Sequence, residues 1–115
     1  MSDLLSKKCV PCEGGTEPLS ATEIADLSPQ VPEWTIATDS KSISMEFVFK
    51  DFVTAVVFIT DVAHIAEEEG HHPDLNLHNW NKVLVTLSTH AIKGLSENDF
   101  IMAAKIDQVH AEGAQ

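Results

Sequence analysis

Apolar and polar residues alternate with period two from residue 42, where Ile43, Met45, Phe47 and Phe49 alternate with Ser42, Ser44 and Glu46. Such alternation is the mark of a strand with one buried face. Together with the preceding "EWTIA" and a turn over residues 39–41, this segment predicts a hairpin. A second hairpin is expected in "LNLHNWNKVLVTLSTH", with its turn near residues 79–81. Val83, Val85 and Leu87 face one side of its last strand, and Thr86, Ser88 and His90 share the other with Leu84.

Between the hairpins the period changes to 3.6. Asp51 is placed to cap a long helix that ends at Gly70. Phe52, Val56, Ile59, Ala63 and Ala66 make one apolar stripe along it, and Ala55, Phe58, Val62 and Ile65 make a second beside the first. So wide a surface suits a helix that lies on a sheet and touches a second subunit. Two capping boxes mark further helices: "SATE" at 20–23 opens a short one over about 21–27, which "SPQVP" stops, and "SEND" at 96–99 opens a final one to about His110. The order is α-β-β-α-β-β-α, an α+β single domain over 19–115 behind an irregular leader over 1–18.

Composition excludes several classes of function. Eighteen acidic residues face seven lysines and no arginine, a formal net charge of −11, which argues against nucleic acid and anionic membranes as partners. The opening "MSDLLSKKCVPCEGG" lacks the apolar core of a signal peptide, and "FVTAVVFITDVAHIA" is interrupted by Asp61 and His64, so no membrane span is expected and the cytoplasm is the expected location. Cys9 and Cys12 form a lone C-x-x-C. They are read as two reduced thiols in the amino-terminal segment, with a metal shared with a histidine or another subunit as the alternative.

The chemistry concentrates in "EEEGHHPD" at 67–74 and in His90. Pro73 biases His72 toward extended backbone, so His71 and His72 should project to different sides and do different jobs. Imidazoles titrate near neutral pH, and a cluster of them can give a proton to a leaving hydroxyl and take one from nitrogen without a cofactor, a combination suited to dehydration. Adjacent histidines on extended backbone do not match the face-sharing H-x-x-x-H of helical zinc sites, so no metal is expected. Glu67 either belongs to a solvated helix end or extends the apolar stripe. Asp99 is either only the third residue of a capping box or also part of the site. His64, His78 and His110 are expected at the surface.

"EEEGHHPDLNLHNWNKVLVTLSTHAIKGLSENDF" resembles the core of the pterin-4a-carbinolamine dehydratases: an acidic residue four before a histidine pair, H-H-P, an N-K-V strand, S-T-H, then G-L-S-x-x-D. More weakly, the resemblance extends over about 19–109, and "KKCVPCEGG" is similar to the leader of some bacterial and plant members. It implies a four-stranded antiparallel sheet with helices packed on one face, assembled into homodimers or homotetramers. It also implies loss of water from 4a-hydroxytetrahydropterin to give quinonoid dihydropterin, with no cofactor, in the recycling of tetrahydrobiopterin.

On that resemblance His71, His72 and His90 are the catalytic candidates. His71 and His90 are implied as proton donors to the 4a-hydroxyl and His72 as the group that orients the ring. Glu67, Asp99 and Pro73 are the substrate-binding candidates. Animal members carry tryptophan where this chain has Leu75 and arginine where it has Asn98, so ring stacking and charge at the pocket edge differ here. Members of the family that have lost the histidines serve as assembly factors or as partners of transcription factors. The alternative reading is accordingly a non-catalytic module that binds an accessory protein through its apolar helix.

Overall fold

The computed structural model describes residues 4–10 and 17–113. Helix α1 spans Ala21–Leu27, strand β1 Thr35–Ile36, β2 Ile43–Val48, helix α2 Phe52–Glu69, β3 Asp74–His78, β4 Lys82–Leu87 and α3 Glu97–Glu112. The four strands form one antiparallel sheet in the order β1-β2-β4-β3. Each helix starts where the sequence places a cap: both capping boxes form at Ser20 and Ser96, and Asp51 Oδ1 accepts from the Thr54 N–H at 2.8 Å. Helix α2 ends at Gly70, whose φ of 68° is the left-handed conformation that lets the chain turn back; its N–H and that of His71 both donate to the Ala66 carbonyl.

Period-two alternation resolves as predicted. Ile43, Phe47, Val83, Val85 and Leu87 are buried beneath the helices, while Ser44, Glu46, Leu84 and Thr86 lie on the other face at least partly exposed. Phe58 of α2 is fully buried and sits 4.8 Å from Phe47 and 5.0 Å from Phe49, ring centre to ring centre, a spacing that favours tilted aromatic pairs. The second hairpin turns through Asn79 and Trp80, both at positive φ, and Asn81 Nδ2 donates to the Phe49 carbonyl at 2.8 Å. That bond ties the hairpin turn to the end of β2.

Several expectations need correction. The second apolar stripe of α2 is the buried one, at Ala55, Phe58 and Val62, whereas the first stays largely open: Phe52 is 53% exposed and Val56 39%, beside Val53 at 69% and Val57 at 47%. The sheet and α3 are not wide enough to cover both stripes of one helix. Strand β4 ends at Leu87 rather than reaching His90; a bridge between Thr89 and Gly94 encloses a 3-10 turn over His90–Ile92. His110 is not a free surface group, since its ring packs 4.9 Å from Phe47 and 5.6 Å from Phe49. His78 is half-buried and bonds Glu46 Oε1 at 2.7 Å across β4, while His64 is exposed as expected. Ahead of Leu19, where ordered structure was expected to begin, Leu4–Ser6 form a 3-10 turn and Leu4 is fully buried against α3.

Near the start of β1, Trp34 Nε1 donates to Asp107 Oδ1 of α3 at 2.9 Å. Burial pushes the Asp107 carboxyl above the ordinary value, and the Trp34 bond offsets this only in part. A carboxyl raised in the folded state contributes its stability below its unfolded pKa and loses it as pH rises through the folded value. Asp107→Asn keeps an acceptor for Trp34 without the charge. It is expected to melt higher than wild type at pH 7, by a few degrees, with no gain at pH 3, in thermal scans at the two pH values.

Candidate functional site

The left-handed turn at Gly70 drops His71 behind the end of α2, where its side chain is only 12% exposed. Its Nε2 lies 2.6 Å from Oδ1 of Asp99 in the first turn of α3. Asp99 is fully buried, and its other oxygen accepts from Thr89 Oγ1 at 2.8 Å and from the Ser96 N–H at 3.0 Å. Burying a carboxylate is costly unless each oxygen is supplied with donors; here three donors converge on two oxygens. The Ser96 hydroxyl in turn bonds Thr89 Oγ1 at 2.7 Å. With Nε2–H donating to Asp99, Nδ1 is the ring nitrogen left for a ligand.

His72 goes the other way, as extended backbone requires. Its side chain is 61% exposed and its Nε2 meets Glu67 Oε2 at 2.7 Å, a surface pair of small energetic weight. His90 is the exposed first residue of the 3-10 turn after β4. The three histidines nevertheless share one open cleft of about 380 Å³, completed by Val10, Gly70, Ser88, Thr89, Ala91 and Asn98. Asp99, Glu67 and Pro73, expected to bind substrate, do not line it: Asp99 lies behind His71, Glu67 points to solvent beside His72, and Pro73 serves to extend the backbone. Of the two readings of Glu67, the structure shows the solvated helix end.

Asn98, expected at the pocket edge, lines the cleft, but its contact with the amino-terminal segment had no precursor in the sequence. Asn98 clamps the backbone of Val10, with Oδ1 accepting from the Val10 N–H at 3.0 Å and Nδ2 donating to the Val10 carbonyl at 2.6 Å. Glu69, with its side chain 4% exposed, accepts from the Cys9 N–H at 2.8 Å and from Lys105 Nζ at 2.7 Å. The amino-terminal strand of chain over residues 7–10 is thereby fastened along the site. A signal for Glu69 exists, because residues 55, 58, 62, 66 and 69 continue the buried stripe at helical spacing.

The Cys9 thiol is pushed up to about 12 by burial and then by the neighbouring Glu69 carboxylate, so at neutral pH it is a thiol and not the thiolate that nucleophilic or metal-binding roles need. Cys12, the other half of the C-x-x-C, lies outside the described residues. Among the described residues no helix is long and apolar enough to cross a membrane.

Residues 17–109 match the model of the family described as pterin 4 alpha carbinolamine dehydratase. The chain belongs to that family. Relatives carrying the family's name include proteins of Azoarcus sp., 41% identical over 98% of this chain and 96% of its own length, and Nitrosospira multiformis, 48% identical over 93% and 92%. The Arabidopsis thaliana protein named pterin-4-alpha-carbinolamine dehydratase 2, mitochondrial, is 43% identical over 97% of this chain and 62% of its own. Among solved structures, a transcriptional coactivator/pterin dehydratase from Brucella melitensis superposes with a TM-score of 0.75 at 33% identity, covering 81% of this chain and 98% of that one. A pterin dehydratase-like protein described as a RuBisCO assembly factor shares the fold, with a TM-score of 0.57 at 23% identity over 67% of this chain and 88% of its own.

Burial would raise the Glu69 carboxyl, but the hydrogen bonds from Lys105 and the Cys9 N–H and the charges of Lys105 and Lys8 outweigh it, leaving the group below its ordinary value. A lowered carboxyl contributes stability above its unfolded pKa and loses it as pH falls through the folded value. Glu69→Gln is therefore expected to melt below wild type near pH 7, with the gap closing below about pH 4. Thermal scans across that range check it; a gap that persists in acid would remove the ion pair as its source.

Proposed function

We propose that this protein is a dehydratase of 4a-hydroxytetrahydropterins that works by histidine acid–base catalysis and needs no metal or cofactor. The observation that carries the reading is the convergence of His71 and His90 on one cleft, with His71 anchored from behind by a buried carboxylate. In the forward reaction one imidazolium gives its proton to the 4a-hydroxyl and the C4a–O bond breaks. The N5 lone pair then forms the C4a=N5 bond, N5 loses its proton to a neutral imidazole, and the products are quinonoid dihydropterin and water. Proton transfer by a positioned side chain contributes about 10²- to 10⁴-fold to such a step.

His71 suits the role of acid. Asp99 fixes its Nε2–H and stabilises the imidazolium, so the proton that moves is the one on Nδ1. His90 serves as the second proton-transfer group from the 3-10 turn. His72, tied to Glu67 at the mouth, orients the ring. The exposed apolar residues Phe52, Val53, Val56 and Val57 form the contact of a homodimer or homotetramer, and recycling of tetrahydrobiopterin in the cytoplasm is the corresponding physiological role. A second reading rests on the same four residues: a module that binds another protein through α2, consistent with the coactivator in the name of the Brucella relative.

Purified wild type should accelerate the breakdown of 4a-hydroxytetrahydropterin, followed by ultraviolet absorbance, above the spontaneous rate. His71→Ala and His90→Ala should each lower kcat by about 10²-fold while the oligomer and melting profile of the His90 variant stay as in wild type. Full rate in both variants would sink the histidine mechanism. If activity were absent in a well-folded wild type and Val53→Asp on α2 abolished capture of a protein partner, the second reading would replace the first.

A further inference from the structure

A second cavity, of about 350 Å³, adjoins the histidine cleft, because Ser88, Thr89 and His90 line both. Its other walls are Lys41, Lys93 and Gly94. Lys41 comes from the turn between β1 and β2, where its N–H is held by Asp39 Oδ1 at 3.0 Å. Lys93 closes the 3-10 turn that carries His90; its φ is 55° and its N–H donates to the His90 carbonyl at 3.2 Å. The two lysines thus come from opposite ends of the chain's sheet-forming half, and the position of the second is fixed relative to His90.

The distribution of charge makes this pairing unusual. The chain has 18 acidic residues and only seven lysines. Lys7, Lys8 and Lys105 are paired with Glu97 and Glu69, and Lys50 and Lys82 do not line this cavity. Among the described residues neither Lys41 nor Lys93 has an ion-pair partner, and the Ser88 hydroxyl has no hydrogen-bond partner. Two ammonium groups outside any ion pair and a free hydroxyl line one cavity of an otherwise acidic chain, the nearby Asp39 carboxylate being engaged by the Lys41 backbone N–H. That is where an anionic ligand meets least repulsion.

Resting on the dehydratase reading, we propose that this cavity is a subsite for an anionic substituent, a phosphate ester, on the side chain of the pterin whose ring occupies the histidine cleft. Lys41 and Lys93 bind the phosphate oxygens and Ser88 donates at the junction of the two cavities. The preferred substrates are then pterins with a phosphorylated side chain rather than those with a neutral one.

The test compares 4a-hydroxytetrahydropterins bearing a methyl or a phosphorylated side chain, on wild type and on the Lys41→Ala/Lys93→Ala double variant. The phosphorylated substrate is expected to show a KM about tenfold lower than the neutral one on wild type. In the double variant that advantage disappears, while kcat and the KM for the neutral substrate are unchanged; added salt narrows the gap in wild type. Equal KM values on wild type, or a ratio untouched by the substitutions, overturn the subsite. Should the double variant melt early, Lys93→Gln alone is read in the same way. Calorimetric binding of a stable phosphorylated pterin and its dephosphorylated counterpart separates this inference from the catalytic one. With no turnover of either substrate, a phosphate preference lost in the lysine variants still supports the subsite, and no preference overturns it.

Discussion

The buried carboxylate of Asp99 holds the site and the fold to one another. One oxygen receives His71 from the end of α2, and the other receives Thr89 from beyond β4 and the Ser96 N–H at the start of α3. Three segments that are separate in sequence are registered on one charged group, which is itself fully buried. Breaking such a network leaves several donors unpaired in a low-dielectric setting, a penalty of several kcal/mol. Helix α3 therefore cannot shift relative to the end of α2 without releasing the histidine that faces the cleft.

Much of this was legible in the chain. Period-two and 3.6 patterns located the elements because each has a single buried face, and the capping boxes at Ser20 and Ser96 set two helix starts through local hydrogen bonds alone. The opposed directions of His71 and His72 followed from Pro73. Asp99 was harder: the spacing S-x-x-D accounts for the oxygen that caps Ser96 and is silent about the one that meets His71. Among the three glutamates before Gly70, attention fell on Glu67, whose partner is the neighbouring His72, whereas the buried Glu69 draws its partners from residues 8, 9 and 105. Contacts at that sequence separation leave no local pattern. The same holds for the Asn98 clamp on Val10 and for the packing of His110 on the phenylalanines.

The site combines a rigid rear and a more accessible front. His71 is locked from behind, and the exposed His72 and His90 line the same cleft. The strap over residues 7–10 closes one wall of the cleft through Asn98. An amide can both donate to and accept from one peptide unit, which a guanidinium cannot, so the strap and Asn98 form a matched pair. On α2, the stripe left open by the sheet is apolar, with Phe52, Val53, Val56 and Val57 exposed, a surface of the kind that proteins cover with another chain.

A carboxylate only accepts, so Asp99 Oδ1 at 2.6 Å requires the proton of His71 on Nε2 and leaves Nδ1 as the bare ring nitrogen. Nitrogen-15 NMR of the His71 ring distinguishes the two tautomers. A protonated Nε2, with product binding perturbing Nδ1, is the expected result. A neutral ring protonated on Nδ1 with a bare Nε2 would overturn the arrangement.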